Sequence, residues 1–105
     1  KNMILGPSGQ NIYPEEIEDR LNALPYVSES LVIEKDGKLI ALVYPDYEVV
    51  KKEKISPEQL KTKMDENRKL LNHMLPMYSQ VARLKIQETE FEKTPKRSIK
   101  RYLYQ

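Results

Sequence analysis

The chain has 105 residues, 39% of them apolar and 32% charged, with a net charge of +2, no cysteine and one histidine. That length suits a single small domain, and the composition excludes a disulfide framework, a thiolate metal site and an imidazole site built on His73 alone. No apolar run reaches a membrane span, no signal-peptide pattern is present, and so small a charge does not by itself imply nucleic-acid binding. No metal site is expected, and the lack of cysteine fits a reducing cytoplasm.

The chain enters at Lys1-Asn2-Met3 without an initiator methionine and so reads as a piece of a longer protein. Met3-Ile4-Leu5 and Ile12-Tyr13 flank Gly6-Pro7-Ser8-Gly9-Gln10-Asn11, the tip of a short hairpin. The glycines supply backbone angles that a Cβ disfavours, and Pro7 fixes one φ between them. Pro14 then suits the first position of a helix, with Glu15 and Glu16 at its positive end and Ile12 and Ile17 placed as a staple across the entry. Tyr13 is a poor N-cap. Ile17, Leu21 and Leu24 form one apolar stripe, and Pro25 ends the helix.

Leu31-Val32-Ile33-Glu34 and Leu39-Ile40-Ala41-Leu42-Val43-Tyr44 flank Asp36-Gly37, a strong two-residue hairpin signal. The second run is apolar at odd and even positions alike, which predicts a central strand with helices above and below. Asp46 to Ile55 reads as a solvated, charged connector rather than a phosphate-attracting patch. Ser56-Pro57-Glu58-Gln59 is a capping box opening an amphipathic helix with Leu60, Met64, Asn67, Leu71 and Met74 on its stripe and Leu70 beside it. Asn67 is expected near the edge of that stripe, and His73 favours the helix dipole. Val81 to Gln87 alternates, with Ala82, Leu84 and Ile86 inward, as an edge strand protected by outward charge. The sum is an α+β domain: a three-stranded antiparallel sheet flanked by helices and preceded by a short N-terminal β-hairpin.

Lys93-Thr94-Pro95-Lys96-Arg97-Ser98-Ile99-Lys100-Arg101 holds five basic residues in nine. On the residues alone, this is a solvated basic tail with a frayed helix on Ile99, Tyr102 and Leu103, or a nucleic-acid patch with Tyr102 and Tyr104 available to stack. A third reading comes from resemblance. Gly9 with Pro14-Glu15-Glu16-Ile17-Glu18 resembles the motif that opens the C-terminal domain of adenylate-forming enzymes, a glycine loop running into "x-P-x-E-I-E". Lys93-Thr94-Pro95, Ile99 and Arg101 match in register the closing motif of the same family, "K-T-P-x-G-K-I-x-R". Two motifs in the right order at the two ends make the resemblance span the whole chain, with wording closest to the long-chain fatty acyl-CoA synthetases.

The resemblance implies a mobile lid over residues 1–105, partnered with a large N-terminal adenylation domain that is not in this sequence. It implies ATP, Mg2+ and CoA as cofactors, a fatty acid as substrate, no nucleic acid, and possible peripheral membrane association of the full enzyme. Gly9 would line the pantetheine passage, with Gln10 and Asn11 near CoA, and Lys1 aligns with the family's hinge. One departure stands out: the family's glycine and catalytic lysine positions hold Arg97 and Ser98. Lys100, ahead of Lys96, is the candidate to supply the missing cation, because joining a carboxylate to the α-phosphate of ATP needs a positive charge between two anions. The alternative is a free-standing basic module that binds nucleic acid or protein.

Overall fold

A computed structural model of the chain describes residues 2–105, so the hinge candidate Lys1 lies outside the described residues. The hairpin is formed by β1 (Ile4–Leu5) and β2 (Asn11–Ile12), paired antiparallel, and helix α1 (Pro14–Leu21) follows directly. Pro14 stands in the first turn, Glu15 and Glu16 sit at its positive end, and Tyr13 makes no side-chain cap. Ile12 and Ile17 are both buried in one cluster, as a staple requires. The helix stops at Leu21, short of the expected Leu24, because turns closed by the N–H groups of Ala23 and Leu24 replace its last turn.

Strands β3 (Val27–Lys35) and β4 (Lys38–Pro45) are antiparallel across Asp36-Gly37, whose φ values of 54° and 77° are the two left-handed angles a tight hairpin needs. Strand β5 (Val81–Ile86) pairs with β4 in parallel, giving the sheet order β3-β4-β5. The expected all-antiparallel sheet is therefore corrected to a mixed one. The cause is the connection: residues 46–80 form a helical crossover, which returns the chain to the same end of the sheet. The crossover holds α2 (Tyr47–Lys52) and α3 (Pro57–His73). The stretch read as a charged connector thus contains a one-and-a-half-turn helix, capped by Asp46 and anchored by buried Val50.

Ser56 and Gln59 make the reciprocal capping box at the start of α3. Leu60, Met64, Asn67 and Leu71 are buried, whereas Leu70 and Met74 are exposed. Asn67 is not at an edge: its amide donates a 2.8 Å hydrogen bond to the Pro25 carbonyl, tying α3 to the exit of α1. In β5 the register shifts between Leu39 and Ile40, so Val81 turns inward and Ala82 outward, while Leu84 and Ile86 pack as expected.

The alternation in β4 divides the core. Leu39, Ala41 and Val43 face α1 and α3 together with Leu21, Leu60, Met64 and Leu71. Ile40 and Leu42 face the other way with Leu31 and Ile33. Among the described residues no α-helix covers that second face, contrary to the sequence reading. The C-terminal segment folds across it instead, bringing Phe91, Ile99 and Tyr104, with the Phe91 and Tyr104 rings edge-on at 5.1 Å. The Tyr104 hydroxyl accepts from the Glu92 N–H at 2.8 Å, and the chain finishes in a short 3-10 turn, Arg101–Leu103.

Candidate functional site

Both motif loops are built on one plan. In the opening loop the Gly6 N–H donates to the Gln10 carbonyl at 2.7 Å and the Gly9 N–H to the Gly6 carbonyl at 3.1 Å. In the closing loop the Thr94 N–H donates to the Ser98 carbonyl and the Arg97 N–H to the Thr94 carbonyl, both at 2.8 Å. Each five-residue loop has proline second and a left-handed residue fourth, Gly9 at φ 84° and Arg97 at φ 68°. That is the arrangement of a turn followed by a bulge whose left-handed place glycine normally fills. Arg97 stands where the resembling motif has glycine, and the fold still demands the glycine conformation. Arg97→Gly is therefore expected to stabilise the chain by about 1 kcal/mol, less the extra freedom glycine has when unfolded. The check is a thermal melt; an unchanged or lower Tm would show that the arginine carries no strain.

The opening loop points into solvent. Pro7, Ser8 and Gly9 are exposed, and a Cβ built on Gly9 would meet nothing within 4 Å. Gln10 is partly committed, since its side-chain oxygen accepts from the Ser8 N–H at 3.1 Å, while Asn11 is exposed on β2 opposite Leu5.

The closing loop borders an open groove of about 680 Å³ between α1, β3 and the C-terminal segment. Lys93 pairs antiparallel with Ile99, which packs against the second core cluster. In an extended segment the neighbours of Ile99 point the other way. Ser98 and Lys100 both line the groove, with Arg97, Arg101 and part of Ile99 itself, whereas Lys96 is exposed at the tip and does not line it. No salt bridge engages Lys96, Arg97 or Lys100 among the described residues. Lys93 is different: its ammonium lies 2.9 Å from a Glu29 carboxylate oxygen, so that motif lysine is tethered to β3.

Glu18, the last residue of the opening motif, grips Arg101, the last of the closing motif. Arg101 Nη1 donates to Glu18 Oε2 at 2.9 Å and Nη2 donates to Glu18 Oε1, a two-bond fork. Glu18 Oε2 also accepts the Val32 N–H at 2.7 Å on the outer edge of β3. Both side chains are largely buried. Burial pushes the Glu18 carboxyl above the usual carboxylate range, with the Arg101 and Val32 donors acting in the opposite direction. On the groove's far wall, burial also opposes the charge of Glu15, but hydrogen bonds from the Asn2 amide and backbone N–H outweigh it and hold that carboxyl below its ordinary value. Sequence reasoning missed the Glu18–Arg101 and Lys93–Glu29 pairs. All but Glu29 were visible as motif positions, and only the fold could show that they meet.

The structure does not bring the two loops together. Residues 6–10 take no part in the closing-loop groove, and Gly6 and Pro7 instead border a smaller one with Leu5, Lys38, Met77 and Tyr78. Among the described residues no three His, Cys, Asp or Glu side chains gather as a metal would require.

The same fold recurs in solved structures. The adenylation domain of a carboxylate reductase from Mycobacterium chelonae superposes with a TM-score of 0.80 at 18% identity, covering 97% of this chain and 17% of that one. The fatty acyl-CoA synthetase of Mycobacterium tuberculosis gives 0.60 at 26% identity, over 96% of this chain and 18% of that one. The amide bond synthetase of Marinactinospora thermotolerans gives 0.71 at 18% identity, over 98% and 19%. The chain thus spans less than a fifth of the length of each of these structures. No curated protein matches the sequence. The family model described as "AMP-binding enzyme C-terminal domain" matches residues 1–104. With both motif loops, their shared turn and nearly every residue within that match, the chain belongs to the AMP-binding enzyme C-terminal domains, the small domain of adenylate-forming enzymes.

Proposed function

We propose that the chain is the mobile lid of an AMP-forming fatty acyl-CoA synthetase and works with a large N-terminal adenylation domain. The carrying observation is that the two solvent-facing turns, alike in backbone, stand on separate grooves of one domain. Rotation of such a domain would offer them in turn to one pocket. In the first step a fatty-acid carboxylate oxygen attacks the α-phosphorus of ATP and pyrophosphate leaves. Two anions approach each other there, and a lysine ammonium between them offsets the repulsion and aligns the attack. Lys100 takes that role in this reading: it lines the groove with Ser98, two residues before it, and among the described residues no salt bridge ties it down.

In the second step the CoA thiolate attacks the acyl carbonyl carbon and AMP leaves. The Gly9 tip would then face the pocket, where the lack of a Cβ lets the pantetheine arm run close to the backbone, with Gln10 and Asn11 beside it. Magnesium would be held with the nucleotide by the adenylation domain, and Lys1 would serve as the hinge. The reading places the enzyme in the cytoplasm, touching membranes peripherally where its substrate collects. The carboxylate reductase and amide bond synthetase among the similar structures favour a second reading, in which the acceptor is not CoA.

The test is the full-length enzyme supplied with ATP and fatty acids of graded length. Pyrophosphate release followed by thioester formation on adding CoA is the expected result. Pyrophosphate release with no thioester would favour the second reading, and the absence of both would overturn the proposal.

A further inference from the structure

We propose that Glu18 and Arg101 are positioning residues for Lys100, a clasp that sets the reach of that lysine into the groove; this rests on the role given to Lys100 above. Lys100 is fixed on both sides. Ile99 before it is pinned by its pairing with Lys93 and by packing beneath the sheet. Arg101 after it is held by the Glu18 fork. The Lys100 N–H itself donates to the Glu92 carbonyl at 2.9 Å.

Glu18 is in turn fixed by more than its arginine. It sits in the second turn of α1, next to buried Ile17, and its carboxylate receives the Val32 N–H from β3. The clasp therefore refers the closing loop to two rigid elements of the core. Without it the segment after Ile99 would keep the Lys100 N–H bond to the Glu92 carbonyl and, further along, the Tyr104 anchor, neither of which ties it to α1 or β3. The Lys100 side chain has four rotatable bonds, so its charge is placed only as well as its backbone is. A misplacement of about 1 Å in a group aligning a reaction can cost on the order of a hundredfold in rate. The opening loop hangs from β1 and β2, ahead of α1, and among the described residues no hydrogen bond or ion pair joins it to the clasp. Loss of the clasp should fall on adenylation and spare the thioester step.

Arg101→Lys in the full-length enzyme is the test. The change keeps the charge and most of the volume but removes the planar fork. Expected is a fall of about tenfold to a hundredfold in kcat for pyrophosphate release, with KM for ATP little moved and thioester formation from supplied acyl-adenylate unchanged. Glu18→Gln, which keeps an acceptor for the Val32 N–H, should show the same split. In the 105-residue chain, which carries both core clusters, amide exchange at Lys100 should quicken by about tenfold or more in Arg101→Lys while the amides of β4 stay protected. Unaltered adenylation in these variants, an equal loss in both half-reactions, or unchanged exchange at Lys100 would each overturn the clasp. Lys100→Ala run beside them separates the failures. If it slows adenylation and Arg101→Lys does not, the clasp alone is wrong; if it leaves adenylation intact, the role of Lys100 is wrong.

Discussion

Lys100→Ala is expected to slow acyl-adenylate formation by on the order of a hundredfold, and Lys96→Ala to change it far less. The asymmetry follows from the hairpin. Lys96 stands at the tip, where its ammonium is surrounded by water and its field is screened. Lys100 is half-buried along the groove wall, where lower dielectric strengthens its hold on a developing charge. Ser98 supplies a hydroxyl on the same wall but no charge. Ser98→Lys, which restores the motif residue, should recover much of the rate lost in Lys100→Ala. The measurement is single-turnover pyrophosphate release by the full-length enzyme, with thioester formation from supplied acyl-adenylate as the control. Equal effects of Lys96→Ala and Lys100→Ala would remove the basis for choosing between the two cations.

Glu18→Ala should lower the stability of the domain by about 3 kcal/mol, a large part of what a domain of this size has. The loss comes less from the attraction between the partners than from what is left behind: a largely buried guanidinium and a strand N–H without acceptors. Glu18→Met combined with Arg101→Met should recover most of it, because neither charge then has to be desolvated. Chemical denaturation reads both, as a shift in midpoint at constant slope. A loss under about 1 kcal/mol in the single variant would mean the pair behaves like an exposed one.

The pH dependence of the same group has a definite sign. Burial raises the Glu18 carboxyl in the folded chain above its unfolded value, so the native state binds this proton more tightly. The increment of stability linked to this proton is then fully present below the unfolded value and is lost as pH rises through the folded one, on top of what the hydrogen bonds of the carboxylate contribute. Relative to Glu18→Gln, the unaltered chain should gain stability on mild acidification, opposite to the trend of a carboxylate such as Glu15 whose value is lowered on folding.

Local chemistry made much of the fold legible. The capping box of Ser56 and Gln59, the Asp36-Gly37 turn and the staple of Ile12 and Ile17 each act within a few residues, and each is present. The same holds for the central strand, since a run apolar at every position has to be covered on both faces. What covers it could not be read, because Phe91, Ile99 and Tyr104 are single apolar residues scattered through a basic segment and show no helical period. The direction of β5 was missed for a related reason: alternation reports which side chains face inward and says nothing about which way the strand runs. Asn67 was placed too near the surface because a polar residue within an apolar stripe usually marks its margin. Here it satisfies a carbonyl at a helix exit that is distant in sequence. For the site, both loops and the cations of the closing one stood out in the sequence, whereas the ion pair that joins the motifs spans nearly the whole chain.

The lysine-bearing loop is also part of the roof over the smaller of the two core clusters, since Ile99 and Tyr104 shelter Leu31 and Ile40 from water. The tail proposed to carry the reactive lysine and the structural shield are one piece of chain. A shortened protein lacking this segment would expose a greasy sheet surface and self-associate before its chemistry could be assayed. Substitution meets the same restriction: individual cations in this segment can change, but the strip that carries them cannot be shed without baring the sheet.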